Sequence, residues 1–243
     1  LLVFATVVKF AIAVAFLKVV SSLQLALPYW QPIIAMTGLA SLAYGNVMAL
    51  KQTNVRRLLA YSSIAHMGFF VMCCYAFGDA SASSGMLYMA IYTLMSFVVL
   101  GILFFIRDEK QLTVADLSGL AKQHAALSVI LMVTFFSLAG IPPLAGFLPK
   151  FLIIRDLVQG QYTLIAVAMI LLTVIALGYY LAVIRNLYFG DLEQGNVVVQ
   201  SRTASSKGIL AGLAILIFML GVYPTGLINY LQVANVKLLF MAA

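Results

Sequence analysis

The stretch SLAGIPPLAGFLPKF, Ser137–Phe151, lies inside a run of membrane-length hydrophobicity and decides how the rest of the chain is read. Pro142 and Pro143 have no N–H to donate, and their rings collide with the preceding helical turn. Gly140 and Gly146 flank them and free the backbone further. A helix broken at membrane depth survives only inside protein or against a wet cavity. Such breaks expose carbonyls and helix ends that form ion sites. Lys150 follows the break, so acceptors for its ammonium are close at hand. The alternative is a plain helix hairpin with Lys150 at the membrane interface.

Outward from that stretch the chain stays apolar. Of its 243 residues, 64% are hydrophobic and 9% charged, against about 25% charged in soluble domains. A spanning helix needs about 20 apolar residues, and seven segments qualify: 1–20, 31–50, 55–77, 84–106, 125–158, 162–188 and 207–231. The fifth carries the break. The pattern predicts an all-α polytopic membrane bundle of about seven transmembrane helices, one discontinuous, forming a single membrane domain over 1–243. Residues 107–124 carry Leu112, Leu117 and Leu120 and a capping pair, Thr113 with Asp116 three residues on, which predicts a short interfacial helix. The chain opens on Leu1, within an apolar run and without the features of a signal peptide. It reads as the later part of a longer chain.

The formal charge is +7, but the basic residues lie mostly singly between spans, a pattern that reports topology and predicts no nucleic-acid partner. Alternating the loops collects Lys51, Arg56, Arg57, Arg107, Lys110, Lys122, Arg185, Arg202 and Lys207 on one side. The other side holds Lys18, Arg155 and Lys237. This asymmetry predicts that Leu1 starts on the cytoplasmic side and Ala243 ends on the far side. Cys73 and Cys74 are adjacent and make no metal or redox spacing, so they read as small buried apolar residues. No phosphate loop, catalytic triad or metal cluster is present in the sequence. The expectation is therefore no cofactor, no metal and no catalytic residue in this chain taken alone.

Two lysines lie within spans. A lysine near mid-bilayer costs about 2.5–3.5 kcal/mol on insertion scales. Lys9 is roughly 12 Å into the first segment at 1.5 Å per residue, whereas Lys18 lies near the span's end and can snorkel. Lys9 is either tied to carbonyls inside the bundle or a proton carrier. Burial penalises the charged form of a lysine, and intramembrane ionisable groups are functional by default. His66, in LLAYSSIAHMGFF, is a natural relay group or a packing residue. Ser62 and Ser63 share its helix face and are placed to hold water or bond the ring. Two further polar stripes, Thr37/Ser41/Tyr44 and Tyr88/Tyr92/Ser96, suit helix packing or a hydrated path equally.

Three tracts carry a resemblance. GNVMALKQTNVRRLLAYSSIAHMGFF (Gly45–Phe70), ADLSGLAKQ (Ala115–Gln123) and FFSLAGIPPLAGFLPKF (Phe135–Phe151) resemble the antiporter-like membrane subunits of respiratory complex I. Mrp-type cation/proton antiporters and membrane hydrogenase subunits belong to the same superfamily. The likeness runs from about Lys9 to Tyr188 and is nearest to the NADH–quinone oxidoreductase subunit N family. The fourth span, GMLYMAIYTLMSFVVLGIL, has Tyr92 where the relatives typically carry a histidine-containing tract. The resemblance implies a fourteen-helix fold of two inverted five-helix repeats, of which this chain is the C-terminal half. Residues 1–20 would be the last helix of the first repeat, 31–188 the second repeat and 207–231 the final helix.

It further implies that Lys9 matches a connecting lysine, Lys150 the lysine of a broken helix facing the exit, and His66 a position near the central hydrophilic axis. The implied function is proton translocation through buried lysines and water, coupled to electron transfer in other subunits, as part of a proton-pumping NADH:quinone oxidoreductase. No redox active site is implied in this chain. The alternatives are an Mrp-type cation/proton antiporter subunit and a subunit whose lysines only lock the bundle. Implied partners are other membrane subunits, the lipid bilayer and the N-terminal half of the same subunit, in a bacterial inner membrane. One departure stands out. The family usually has GFxGKF, whereas here Leu148 and Pro149 precede Lys150.

Overall fold

The computed structural model describes residues 2–23, 27–76, 79–107, 112–190, 198–199 and 204–226. Its helices follow the predicted segments in order: α1 (Leu2–Ser22), α2 (Leu27–Leu50), α3 (Val55–Cys73) and α4 (Asp79–Phe105), then α5 (Leu120–Gln123), α6 (Ala125–Ala139), α7 (Phe147–Gln159), α8 (Thr163–Phe189) and α9 (Ala204–Val222). By length and composition, Pro28–Leu50, Ser81–Phe104 and Thr163–Phe189 are each apolar enough to cross a membrane; Ala125–Ala139 and Gly208–Val222 are shorter apolar helices. Lys110, Arg202, Lys237, both chain ends and the last residues of the predicted seventh span lie outside the described residues.

Helix α4 is the central post, packing on α1, α3, α6, α7 and α9. Its spanning window is 56% buried, against 33% for α2 and α8, as befits a helix that is apolar all round. The hairpin of α2 and α3 is the most intimate pair. A Cβ on Gly45 would lie 2.5 Å from Ala65 N, and one on Gly68 would lie 2.6 Å from Gly38 O. Small residues let these backbones touch where apolar burial gives no drive for helices to associate in lipid.

Boundaries moved for local reasons. Helix α2 starts at Leu27 rather than at 31, because Pro28 in the first turn gives up an N–H that has no intrahelical partner anyway. Pro32 sits inside the helix on an exposed face. Asn54 caps α3 by accepting from Arg57 N at 3.0 Å. The predicted interfacial helix is a single 3₁₀ turn, Ala115–Leu117, followed by the one-turn α5. The capping pair itself forms: Asp116 Oδ2 accepts from Thr113 N and Oγ1, both at 2.7 Å, and Asp116 N donates back to Thr113 Oγ1 at 3.3 Å. Leu112, Leu117 and Leu120 are buried beneath it. Asp116→Ala is expected to cost about 0.5–2 kcal/mol, the usual range for a lost cap, read as a lower melting temperature of the purified assembly.

A two-residue antiparallel pair, β1 (Ile106–Arg107) with β2 (Val198–Val199), departs from an all-helical chain among the described residues, as does the single antiparallel bridge of Asn54 with Thr113. It belongs to a set of backbone ties gathering three loops at one end. Val55 N donates to Leu112 O at 3.0 Å, Val114 N to Thr53 O at 2.8 Å, and Gly119 N to Asn186 O at 3.1 Å. Lys51, Arg56, Arg57, Lys122 and Arg185, all exposed, cluster at that end. The opposite end is tied by Gln31, whose Nε2 donates to Tyr75 O and Tyr162 OH, each at 3.1 Å. Cys73 and Cys74 are buried, as read.

Candidate functional site

The break between α6 and α7 has a complete hydrogen-bond account. An α-helix leaves its last four carbonyls without intrahelical donors. Gly140 takes φ +88°, the left-handed conformation that glycine adopts without strain. Its N–H donates to Ser137 O at 3.0 Å while Ile141 N donates to Phe136 O at 3.1 Å. These are the two bonds of a Schellman cap. The remaining carbonyls, Leu138 and Ala139, accept from Lys150 Nζ at 2.8 and 3.1 Å. Lys150 is only 6% exposed, and its ammonium faces the negative end of the α6 dipole. The Phe69 ring lies 5.9 Å below Nζ.

The start of α7 is equally accounted for. Gly146 N donates to Ser137 Oγ at 3.0 Å and Phe147 N to Leu144 O at 3.1 Å. Pro149 falls in the first turn of α7, where an N–H has no helical acceptor. The departure from the family pattern thus removes no helical bond. Helix α9 closes over the break: a Cβ on Gly221 would lie 2.1 Å from Pro143 O. The plain-hairpin reading of Lys150 fails, because the side chain is buried and turned back onto α6.

A second polar group lies deeper in the bundle. His66 is buried on α3, and its partners are not the serines of its own helix. Nδ1 pairs with Tyr88 OH at 2.7 Å, and Nε2 pairs with Tyr180 OH at 3.2 Å. Tyr180 OH also bonds Ser62 Oγ, whereas Ser63 accepts from Lys9 Nζ at 2.7 Å. Of the two roles open to Ser62 and Ser63, bonding the ring is not the one these side chains take here. The two serines point along different faces, one towards α8 and one towards α1. The Tyr92 ring lies against His66, centroids 4.7 Å apart and tilted by 33°.

The polar stripes now separate. Tyr88 and Tyr92 turn inward to His66. Tyr44 is 56% exposed and Thr37 Oγ1 back-bonds within its own helix, to Ile33 O at 2.8 Å and Ile34 O at 3.2 Å. Lys9 is half-buried, tied to a hydroxyl rather than to carbonyls. It lines an open groove of about 430 Å³ with Ser63, Tyr92 and Ser96, walled by Leu59, Val99 and Leu103. A gap of about 10 Å³ lies among His66, Lys150, Asn46, Tyr88, Thr173 and Tyr179, about the room one water needs. Asn46 is fixed there by Leu172 O at 2.8 Å and Tyr179 OH at 3.1 Å. Among the described residues no group of three or more His, Cys, Asp or Glu could hold a metal.

The sequence reading missed Tyr180 and Asn46. The available signal was two adjacent tyrosines, Tyr179 and Tyr180, in the middle of an otherwise aliphatic span. Tyr180→Phe is expected to leave Ser62 and His66 Nε2 without their shared partner, costing about 1–3 kcal/mol for the orphaned groups. The check is thermal stability of the purified assembly against wild type.

Fold and site together define an antiporter-like membrane helix bundle, built round a broken helix with a buried lysine. The chain belongs to the NADH:quinone oxidoreductase/Mrp antiporter transmembrane family, whose sequence profile matches residues 1–176. It is 36% identical over 209 residues to NADH-quinone oxidoreductase subunit N of Pelagibacter ubique, covering 85% of this chain and 44% of that protein. It thus spans under half the length of that relative. Among solved structures it superposes on a chain of respiratory complex I from Thermus thermophilus with a TM-score of 0.75 at 26% identity, covering 82% of this chain and 45% of that one. A chain of the Mrp complex from a Dietzia species gives a TM-score of 0.75 at 18% identity, covering 87% and 48%. That second likeness shows the fold alone.

Proposed function

We propose that this chain is the C-terminal part of a proton-translocating membrane subunit of an NADH–quinone oxidoreductase in a bacterial inner membrane. In this reading residues 1–20 close a first repeat, 31–188 form a second five-helix repeat and 207–231 the final helix. The observation that carries the proposal is Lys150, buried on the two carbonyls that the α6 cap leaves free. Amine and ammonium can both bond there, because the amine donates to the same carbonyls. Lys9 receives a proton or a charge signal from the preceding half of the subunit. His66, with Tyr180, Tyr88 and a water in the small gap, passes it on, and Lys150 releases it. A charge arriving beside one titrating group disfavours protonation of the next. Redox chemistry takes place in other subunits, on cofactors that they hold.

The second reading, a gradient-driven cation/proton antiporter, draws on the Dietzia likeness. Against it stand the subunit N relative at 36% identity and Tyr92 in the fourth span. Sealed vesicles holding the whole assembly separate the two. Proton uptake that requires NADH and quinone and ignores an imposed sodium gradient is the expected result. Sodium-driven proton flux without a quinone reductase would overturn the proposal.

A further inference from the structure

Asp156 is an ionisable side chain of the bundle interior that the relay above leaves unused. It lies on α7 six residues beyond Lys150, about 9 Å further along the axis. Helix α6 starts beside the basic loops, so α7 runs away from them, and Asp156 lies towards the opposite end. The residue is 7% exposed, and among the described residues it is the sole buried carboxylate. Its Oδ2 accepts from Ser84 Oγ of α4 at 2.6 Å, and Ser84 is itself buried. Its Oδ1 accepts from Arg155 Nη2 at 2.7 Å and Nε at 3.1 Å. The Arg155 side chain is 41% exposed. One oxygen therefore faces the interior and the other faces a cation that reaches the surface.

A carboxylate is an expensive way to hold Ser84. An asparagine oxygen would accept the same bond without the several kcal/mol of ion desolvation. What the carboxylate adds is the ion pair with Arg155 and, when that pair opens, the capacity to be protonated. Resting on the proton-translocation reading, we propose that Asp156 is the outlet acceptor: it takes the proton that Lys150 releases and delivers it at the end opposite the basic loops. In the step, the Lys150 ammonium becomes an amine and the Asp156 carboxylate becomes a carboxylic acid. The gap is wider than one hydrogen bond, so the step requires a bridging water. The neutral acid no longer attracts the Arg155 guanidinium as an ion. The acid then loses its proton to outside water and Arg155 pairs again. One proton moves and no electron does.

The test uses the assembled complex in sealed vesicles and reads protons translocated per NADH oxidised. Asp156→Asn keeps the Ser84 bond but cannot take up a proton; translocation through this subunit is expected to fall about 10²-fold or more, the range for a lost proton-transfer group, and Asp156→Glu to restore it. Redox-triggered infrared difference spectra supply the second readout. A protonated-carboxyl band is expected in wild type and at a shifted position in Asp156→Glu, which keeps the test decisive should Asp156→Asn fail to assemble. Normal pumping by Asp156→Asn, or a carboxyl band indifferent to Asp156→Glu, overturns the outlet role. Lys150→Arg is the reference: normal pumping in both it and Asp156→Asn would sink the proton-translocation reading itself, whereas loss in Lys150→Arg alone would sink only the outlet.

Discussion

Lys150→Arg is expected to leave the bundle assembled and to stop proton release through it. Arginine keeps a cation opposite Leu138 O and Ala139 O, so the α6 terminus retains donors. A guanidinium does not deprotonate in proteins, so only the proton exchange is removed. The expected loss in translocation through this subunit is about 10²-fold or more, as for other positioned proton-transfer groups. Lys150→Ala removes charge and donors together, leaving two buried carbonyls unpaired at about 1–3 kcal/mol each, and is expected to lower both assembly and pumping. The pair separates the two roles of the lysine. If Lys150→Arg pumps at the wild-type ratio of protons to NADH, the lysine only holds the bundle together.

The second large effect belongs to Gly146. A Cβ at this position would lie 1.8 Å from Ser137 O and 2.7 Å from Ser137 C. Both contacts are with backbone, which cannot step aside as a flexible side chain would. Gly146→Ala therefore forces the start of α7 away from the end of α6. It breaks the Gly146 N to Ser137 Oγ bond and pulls Lys150 from its carbonyls. Overpacking costs typically 1–3 kcal/mol and more where backbone must shift, so about 3 kcal/mol or more is expected here. The readout is the amount of subunit recovered in the membrane and its incorporation into the complex. Gly212→Ala, where nothing lies within 4 Å of the added carbon, is the control and should accumulate normally. Equal accumulation of the two variants would show that the α6–α7 junction is looser than the geometry implies.

Much of this was legible in the residues. The apolar segments, the break at Gly140–Gly146, Lys150 on the freed carbonyls and the basic loops at one end all follow from local chemistry. Proline lacks an N–H, glycine tolerates positive φ, and a charge in a span must find a partner close by. Even Pro149, a departure from the family pattern, has a local explanation once α7 is seen to begin at Phe147. The two-residue strand pair and the shrinking of the interfacial helix to single turns were not legible, because they depend on how separate loops meet.

The sequence by itself determined that this chain is a membrane bundle with a broken helix and ionisable groups inside it. Only the tertiary structure decided which groups meet. His66 pairs with Tyr88 and Tyr180 rather than with the neighbouring serines, and Ser63 serves Lys9 while Ser62 serves Tyr180. Asp156, which reads in sequence as an ordinary residue after Arg155, is buried against Ser84 of a helix 72 positions earlier. These partners lie on different helices, and no local periodicity encodes which faces will touch. Helix backbone preference is a property of a few consecutive residues. The rotation of one helix against another is set by close contacts along its whole length, such as those at Gly45 and Gly68.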